Sequence, residues 1–442
     1  MNPTYPLEVV LTPLKAALVA EDNARLQVLV RLRAQDDPRI ARTPLSLAIV
    51  IDRSGSMSGQ KLLAAKQCTQ ELIDRMHPQD EVSVVAYDTQ VEVVLALMPV
   101  ETARSLLASA LDSIEGRRQT DLHAGWLKGA EVLAPRSSTN RMCRLILLSD
   151  GQTNHGETNV TRICDQVGEL ARSGISTTTV GIGSGFNETL MTAMAIAGQG
   201  AALYGDRAQD LAEPFDSEIG LLSRLAWRDV TLTTSIGTHR WTMHNDYAQN
   251  PDGSWRLPAI AAKSEAWMAL SVSMSDAIRL QLRATERSPL KVLVRAKDGN
   301  GVIHSFMAAI PELPIVSAEA YGGFAEDGLV AKRFGEIEAA DIQRLARDAV
   351  RRRDWVEVEH MFEQLNRRAL TNPWLRGALE VMRTMLERRD HGRMEKELQY
   401  TSYAMKSRLT DLDEGDFLSA RQELEKDAFL RRKVDQGRRS DL

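Results

Sequence analysis

The sequence predicts an α/β fold: a doubly wound, mostly parallel sheet, joined by an antiparallel β-sandwich domain and a C-terminal helical region. Three observations predict it. Apolar runs at Leu45–Ile51 and Leu145–Leu148 are nearly continuous, as in parallel strands covered on both faces. Helical patterns alternate with these runs over the first half of the chain. From Val230 onward the apolar residues switch to a period of two.

Taken in order, residues 1–43 read as two strands and a turn. Leu7, Val9 and Leu11 alternate with other residues before Pro13, and Leu26, Val28, Val30 and Leu32 repeat the pattern. The run Leu45–Ile51 opens the parallel sheet. A helix follows, with Leu62, Ala65, Leu72, Ile73 and Met76 on one side. Strands are expected at Val82–Tyr87 and Val91–Leu97, then helices over 102–115 and 121–134. After the run Leu145–Leu148 come a helix at 159–173, a strand at 175–182, a helix at 187–197 and a short strand at 201–204. This segment ends near residue 222.

Beyond it, Val230, Leu232, Thr234 and Ile236 alternate, as do Met268, Leu270, Val272 and Met274, and then Ile278, Leu280, Leu282 and Ala284. All three are read as strands. Asn250-Pro251-Asp252-Gly253 and Asp298-Gly299-Asn300-Gly301 read as hairpin turns. Trp355, Val358, Phe362 and Leu365 fall at helical spacing, and so do Leu375, Leu379, Met382 and Leu386, with Asn372 as N-cap and Pro373 at the first helical position. The expected organisation is 1–43 as strands of the sandwich, 44–222 as the parallel domain, 223–320 as the sandwich, 321–409 as a helical bundle and 410–442 as a charged tail. In that arrangement the parallel domain is inserted between strands of the sandwich, because two short strands cannot bury a face alone.

Composition narrows the function. A chain of 442 residues exceeds what one core usually supports. Its net charge of -5 gives no electrostatic case for nucleic-acid binding. Three widely spaced cysteines, Cys68, Cys143 and Cys164, argue against a disulfide scaffold or a zinc finger. The start, Met1-Asn2-Pro3-Thr4-Tyr5-Pro6, has no secretory signal, and no apolar run reaches the ~18 residues of a spanning helix. A cytoplasmic location is expected.

The chemistry sits after the first buried run, in Asp52-Arg53-Ser54-Gly55-Ser56. A loop leaving the carboxyl end of a strand in a doubly wound sheet is where ligands bind. Asp52, Ser54 and Ser56 supply one carboxylate and two hydroxyls, hard oxygen ligands suited to Mg²⁺, Mn²⁺ or Ca²⁺. Alone, these three also read as a strand end, a turn and helix caps. Thr120 stands just ahead of a helix, and Asp150 ends the run Leu145–Leu148, so all three loops fall on one sheet edge.

Asp52-x-Ser54-x-Ser56, then Thr120, then Asp150-Gly151 resembles the metal-ion-dependent adhesion site of von Willebrand factor A (VWA) domains. The resemblance covers residues 44–222, and Val180-Gly181-Ile182-Gly183 is similar to the family's late strand. It implies that Ser54, Ser56 and Thr120 bind a divalent cation, Mg²⁺ or else Mn²⁺ or Ca²⁺, directly. It implies that Asp52 and Asp150 act through water, and that a protein partner's Asp or Glu fills the open position. The expected function is therefore a metal-dependent protein-binding module of bacterial type, not an enzyme. The alternative is an adaptor for an AAA+ ATPase or for a kinase- or phosphatase-linked stress or defence system.

Neighbouring residues receive plainer readings. Asp121 starts a helix or supports the ligands from behind, His155 and Glu157 lie on a solvated loop, His123 is structural, Asp88 is a turn residue and Arg351–Arg353 form a solvated helix face. A metal-dependent hydrolase would need a general base, for which only His155 or Glu157 is at hand. A dinucleotide loop at Gly181-x-Gly183-x-Gly185 lacks its third glycine, and no GxxxxGK[ST], HExxH or serine elbow occurs.

Overall fold

The computed structural model describes residues 7–20, 24–35, 43–116, 119–139, 141–183, 186–205, 220, 222, 224–234, 241–284, 287–369, 379 and 383. The expected charged tail at 410–442 and the helix start at Asn372-Pro373 lie outside the described residues. The chain divides into two compact units, one drawn from residues 41–225 and one from residues 1–40 together with 226 onward.

Strands β1 (Leu7–Pro13), β2 (Leu18–Val19) and β3 (Arg25–Ala34) open the chain and belong to the second of these units. The first unit begins with β4 (Leu45–Asp52), whose residues are all buried. It continues through α1 (Gln60–Arg75), β5 (Glu81–Tyr87), β6 (Val91–Pro99), α2 (Val100–Asp112), α3 (Leu122–Ser137), β7 (Met142–Ser149), α4 (Val160–Arg172), β8 (Ile175–Ile182), α5 (Glu188–Ala197) and β9 (Gln199–Gly205). The six strands form one sheet in the order β6-β5-β4-β7-β8-β9. All neighbours run parallel except β5 and β6. The α/β fold with a mostly parallel sheet is therefore present, with one antiparallel strand at its edge.

Burial explains the apolar runs. β4, β7 and β8 are buried along their whole length, since helices cover both sheet faces. Edge strand β6 is exposed or half-buried except at Leu95. Helix α3 crosses the sheet closely: a Cβ on Gly125 would meet the Tyr87 ring at 2.3 Å, and one on Gly129 would meet Val50 at 2.5 Å.

The second unit is mostly antiparallel. Residues β10 (Leu225–Thr234), β11 (Thr242–Met243), β12 (Trp255–Arg256), β13 (Ile260–Ala261), β14 (Glu265–Ser273), α6 (Met274–Arg283), β15 (Lys291–Lys297), β16 (Ile303–Ala309) and β17 (Ile315–Val316) follow in sequence. One sheet runs β1-β3-β14-β11 and the other β12-β10-β15-β16, with β13 paired to β10. Met268 of β14 sits opposite Val30 of β3, strands separated in sequence by the whole parallel unit. The two sheets share a core that includes Leu26, Val28, Trp227, Leu232, Met268 and Val292.

One expectation fails here. Residues Ile278, Leu280, Leu282 and Ala284 do not form a strand: Met274–Arg283 is helix α6. Ser273 caps it, its Oγ accepting the Asp276 N–H at 3.2 Å. The buried side chains Met274, Ala277, Leu280 and Gln281 follow helical spacing, while Leu282 is 66% exposed. The period-two pattern arose because Leu282 is exposed while Ile278 packs at the margin of the core.

The chain continues through α7 (Ala318–Gly322), α8 (Gly328–Arg352) and α9 (Trp355–Ala369). Val330 and Ile337 of α8 pack on Leu29, Trp267 and Ala269 of the sheet. Arg333 lies 4.8 Å over the Trp267 ring and pairs with Glu336 at 3.0 Å. Helix α9 packs back on α8 through Val358, Ala346 and Val350. No helix among the described residues is long and apolar enough to cross a membrane.

Candidate functional site

Asp52 is the last residue of β4, and Ser149 is the last of its parallel neighbour β7. The register pairs Ile51 with Leu148, so the next residues, Asp52 and Ser149, arrive side by side at the carboxyl edge. Ser149 Oγ donates to Asp52 Oδ2 at 2.6 Å, and the Ser54 N–H donates to Asp52 Oδ1 at 2.8 Å. The second bond folds the Asp52-x-Ser54 loop back on its own carboxylate, a turn that Asp and Ser favour. A single 3-10 turn at Gly55–Met57 then brings Ser56 Oγ to 3.2 Å from Ser54 Oγ.

Asp150 follows Ser149 and is fully buried. Its Oδ1 accepts the Gln152 N–H at 3.3 Å, and its Oδ2 accepts Lys61 Nζ at 3.1 Å. Thr120, also buried, precedes α3. Its N–H donates to Asn154 Oδ1 at 2.9 Å, and its carbonyl accepts the Asn154 and His155 N–H groups. Thr120 is thus laced to the loop that carries Asp150. The Asp121 N–H donates to the Asp88 carbonyl at 2.9 Å, which ties the same segment to the end of β5.

The five residues singled out in the sequence therefore occupy one edge of one sheet. Asp52, Ser54 and Ser56 are joined by direct hydrogen bonds, and Asp52 is joined to Asp150 through Ser149. Thr120 reaches the group through Asn154, not by a bond to another member of the set.

Electrostatically the site is unsettled. Burial, the largest influence, pushes the Asp52 carboxyl up to about 6. Hydrogen bonds from Ser149 and Ser54 work against the rise, and the negative charge of Asp150 adds to it. Tyr87 Oη is buried beside Asp52 and Ser149, and burial pushes its phenol well above the usual range. Two buried carboxylates and three hydroxyls are hard oxygen groups, and this donor set fits a divalent cation.

Several contributors were not singled out from the sequence. Ser149 and Asn154 orient the set, and Lys61 pairs with Asp150. Asp88, read as a turn residue, does hold the turn to Gln90, but it also forms a buried ion pair with Arg53 at 2.7 Å. Asp121 caps α3, its Oδ1 accepting the Ala124 N–H, while His155 Nδ1 stands 3.4 Å from its Oδ2. Glu157 holds the Asn159 N–H ahead of α4.

The family model for the von Willebrand factor type A domain matches residues 46–215. This segment is a VWA domain. An uncharacterised Synechocystis protein, sll0103, is 29% identical over 192 residues, which cover 43% of this chain and 44% of that protein. The chain thus spans less than half the length of that curated relative. Among solved structures, a von Willebrand factor type A protein from Catenulispora acidiphila aligns with a TM-score of 0.65 at 18% identity, covering 98% of both chains. The ArnB paralog VWA2 from Sulfolobus acidocaldarius aligns with a TM-score of 0.61 at 16% identity, covering 91% of this chain and 98% of that one. These two likenesses concern the fold. VWA domains generally serve protein–protein interaction and adhesion.

Proposed function

We propose that this VWA domain is a metal-dependent binding module, not an enzyme, and that it recognises a carboxylate on a protein partner. The observation that carries the reading is the hydrogen-bonded set Asp52–Ser54–Ser56, joined through Ser149 to Asp150 at one sheet edge. Ser54, Ser56 and Thr120 would hold the cation, with Asp52 and Asp150 behind them. A bound Mg²⁺ or Mn²⁺ would supply a Lewis-acid position that an Asp or Glu of a partner completes. Asp52 takes two hydrogen bonds from the protein, which fixes its carboxylate before any ligand arrives. His155 and Glu157 are engaged with Asp121 and Asn159, which favours a rim role for them over general-base catalysis. The reading takes the compartment to be cytoplasmic, where cysteines such as Cys68, Cys143 and Cys164 that form no disulfide are expected.

The test is a pull-down from native lysate with Mg²⁺ and again with EDTA, using wild type and Ser54→Ala. A partner lost with EDTA and with the variant supports the reading. A partner retained in both moves binding away from this site.

A further inference from the structure

Lys61 occupies the second position of helix α1, in the turn where the helix dipole disfavours a cation. Its place is therefore not explained by helix stability. Its ammonium lies 3.1 Å from Asp150 Oδ2, with the carboxylate buried and the lysine side chain 29% exposed. The aliphatic stem crosses Gly183, just past the end of β8, where a Cβ would stand 2.6 Å from Lys61 Cε. Gly183 has φ +82, so backbone conformation and clearance both call for glycine there. The chain thus keeps a slot that lays a lysine against one carboxylate of the candidate site.

The charges decide what this lysine does. Asp52 and Asp150 carry two negative charges when ionised, and a divalent cation alone would balance them. Such a site would attract a carboxylate through the open position of the cation alone, with no net charge behind it. Lys61 adds one positive charge to that balance, which favours a carboxylate at the open position. Asp121, the next acid outward, is engaged with the Ala124 N–H and faces His155. The buried Asp88 is matched by Arg53.

We propose that Lys61 is the charge-setting residue of the site: it holds Asp150 in place before a cation binds, and afterwards makes the site select an anionic ligand. This rests on the metal-binding reading above. It has a signature that a merely structural tether lacks, because removing the charge moves two affinities in opposite directions. The cation is held more tightly, since a like charge has gone, while the carboxylate is held less tightly.

The experiment titrates Mn²⁺ into wild type, Lys61→Gln, Lys61→Arg and Ser54→Ala, each with and without excess acetate as the carboxylate probe. Circular dichroism checks that each variant is folded. The expected result is Mn²⁺ affinity roughly tenfold higher in Lys61→Gln and close to wild type in Lys61→Arg. Acetate should raise the apparent Mn²⁺ affinity of wild type by linkage, and raise that of Lys61→Gln less. Equal or weaker Mn²⁺ binding by folded Lys61→Gln overturns the proposal, and so does an equal acetate response in the two proteins, while the metal-binding reading survives. Wild type that binds no Mn²⁺, or binds it as Ser54→Ala does, overturns both.

Discussion

Arg53 Nε donates to Asp88 Oδ2 at 2.7 Å, and each side chain is only 2% exposed. Arg53 is the residue between Asp52 and Ser54, and its own N–H donates to the Tyr87 carbonyl at 2.9 Å. Asp88 holds Arg53 with its side chain and the Asp121 N–H with its carbonyl. One residue therefore joins the loop of Ser54 to the loop of Thr120. Removing one partner of a buried pair leaves an uncompensated charge, so Asp88→Ala should cost about 3 kcal/mol. The value falls at the low end because Glu92 still accepts Arg53 Nη1 at 2.9 Å. Urea unfolding of the variant gives the number, and a loss below about 1 kcal/mol would mean that Glu92 alone suffices.

At the opposite end of β5, Glu81 accepts Arg136 Nε and Nη2 at 2.9 Å each and Ser46 Oγ at 2.9 Å. Burial works to raise its carboxyl, but the bonds from Arg136 and Ser46 and the charge of Arg141 outweigh it and hold the group below its usual range. Its folded value is thus depressed relative to the unfolded chain. Stability from this cluster is present above the unfolded value of about 4.3 and is lost as pH falls through the folded one. Arg136 is 40% exposed, so solvent screening keeps the contribution small. Urea midpoints of wild type and Glu81→Gln should differ at pH 7 and converge at about pH 3. A gap that persists at low pH would contradict this account.

Much of this architecture was legible in the sequence for identifiable reasons. β4 and β7 are covered on both faces, so their apolar runs are unbroken, and the polar residues that end them, Asp52 and Asp150, stand at the carboxyl edge. Helix α6 was misread because Ile278, Leu280 and Leu282 alternate by chance, while its real start signal, Ser273 with Asp276 three residues on, was passed over. The Arg53–Asp88 pair spans 35 residues and Lys61–Asp150 spans 89, and neither spacing is a pattern. Such pairs become visible only when strand order brings β4 between β5 and β7.

Gly125 shows how tightly α3 is seated. Alanine normally favours a helix interior over glycine by about 1 kcal/mol. Here the added methyl would stand 2.3 Å from Tyr87 Cγ and 2.4 Å from Cδ1, and the buried ring has no open side to yield toward. Overpacking of this kind costs about 1–3 kcal/mol. Gly125→Ala should therefore destabilise the protein by up to about 2 kcal/mol despite the better helix former. A thermal midpoint equal to or above that of wild type would show that Tyr87 can move.

Ser54→Ala separates metal binding from folding more cleanly than a change at Asp52. The bond that shapes the loop runs from the Ser54 backbone N–H to Asp52 Oδ1, and alanine keeps it. Replacing Asp52 instead would orphan that N–H and the Ser149 hydroxyl, which donates at 2.6 Å. The serine side chain meets Ser56 Oγ at 3.2 Å, a bond that an exposed partner readily replaces with water. Ser54 is buried, so in EDTA Ser54→Ala should cost about 1 kcal/mol, less than a change at Asp52. A ligand present at 100 times its Kd stabilises the folded state by about 2.7 kcal/mol. Saturating Mg²⁺ should therefore raise the wild-type Tm by several degrees, and EDTA should reverse the rise. Ser54→Ala should show no such response. An equal Mg²⁺ shift in the variant would take Ser54 out of the ligand set.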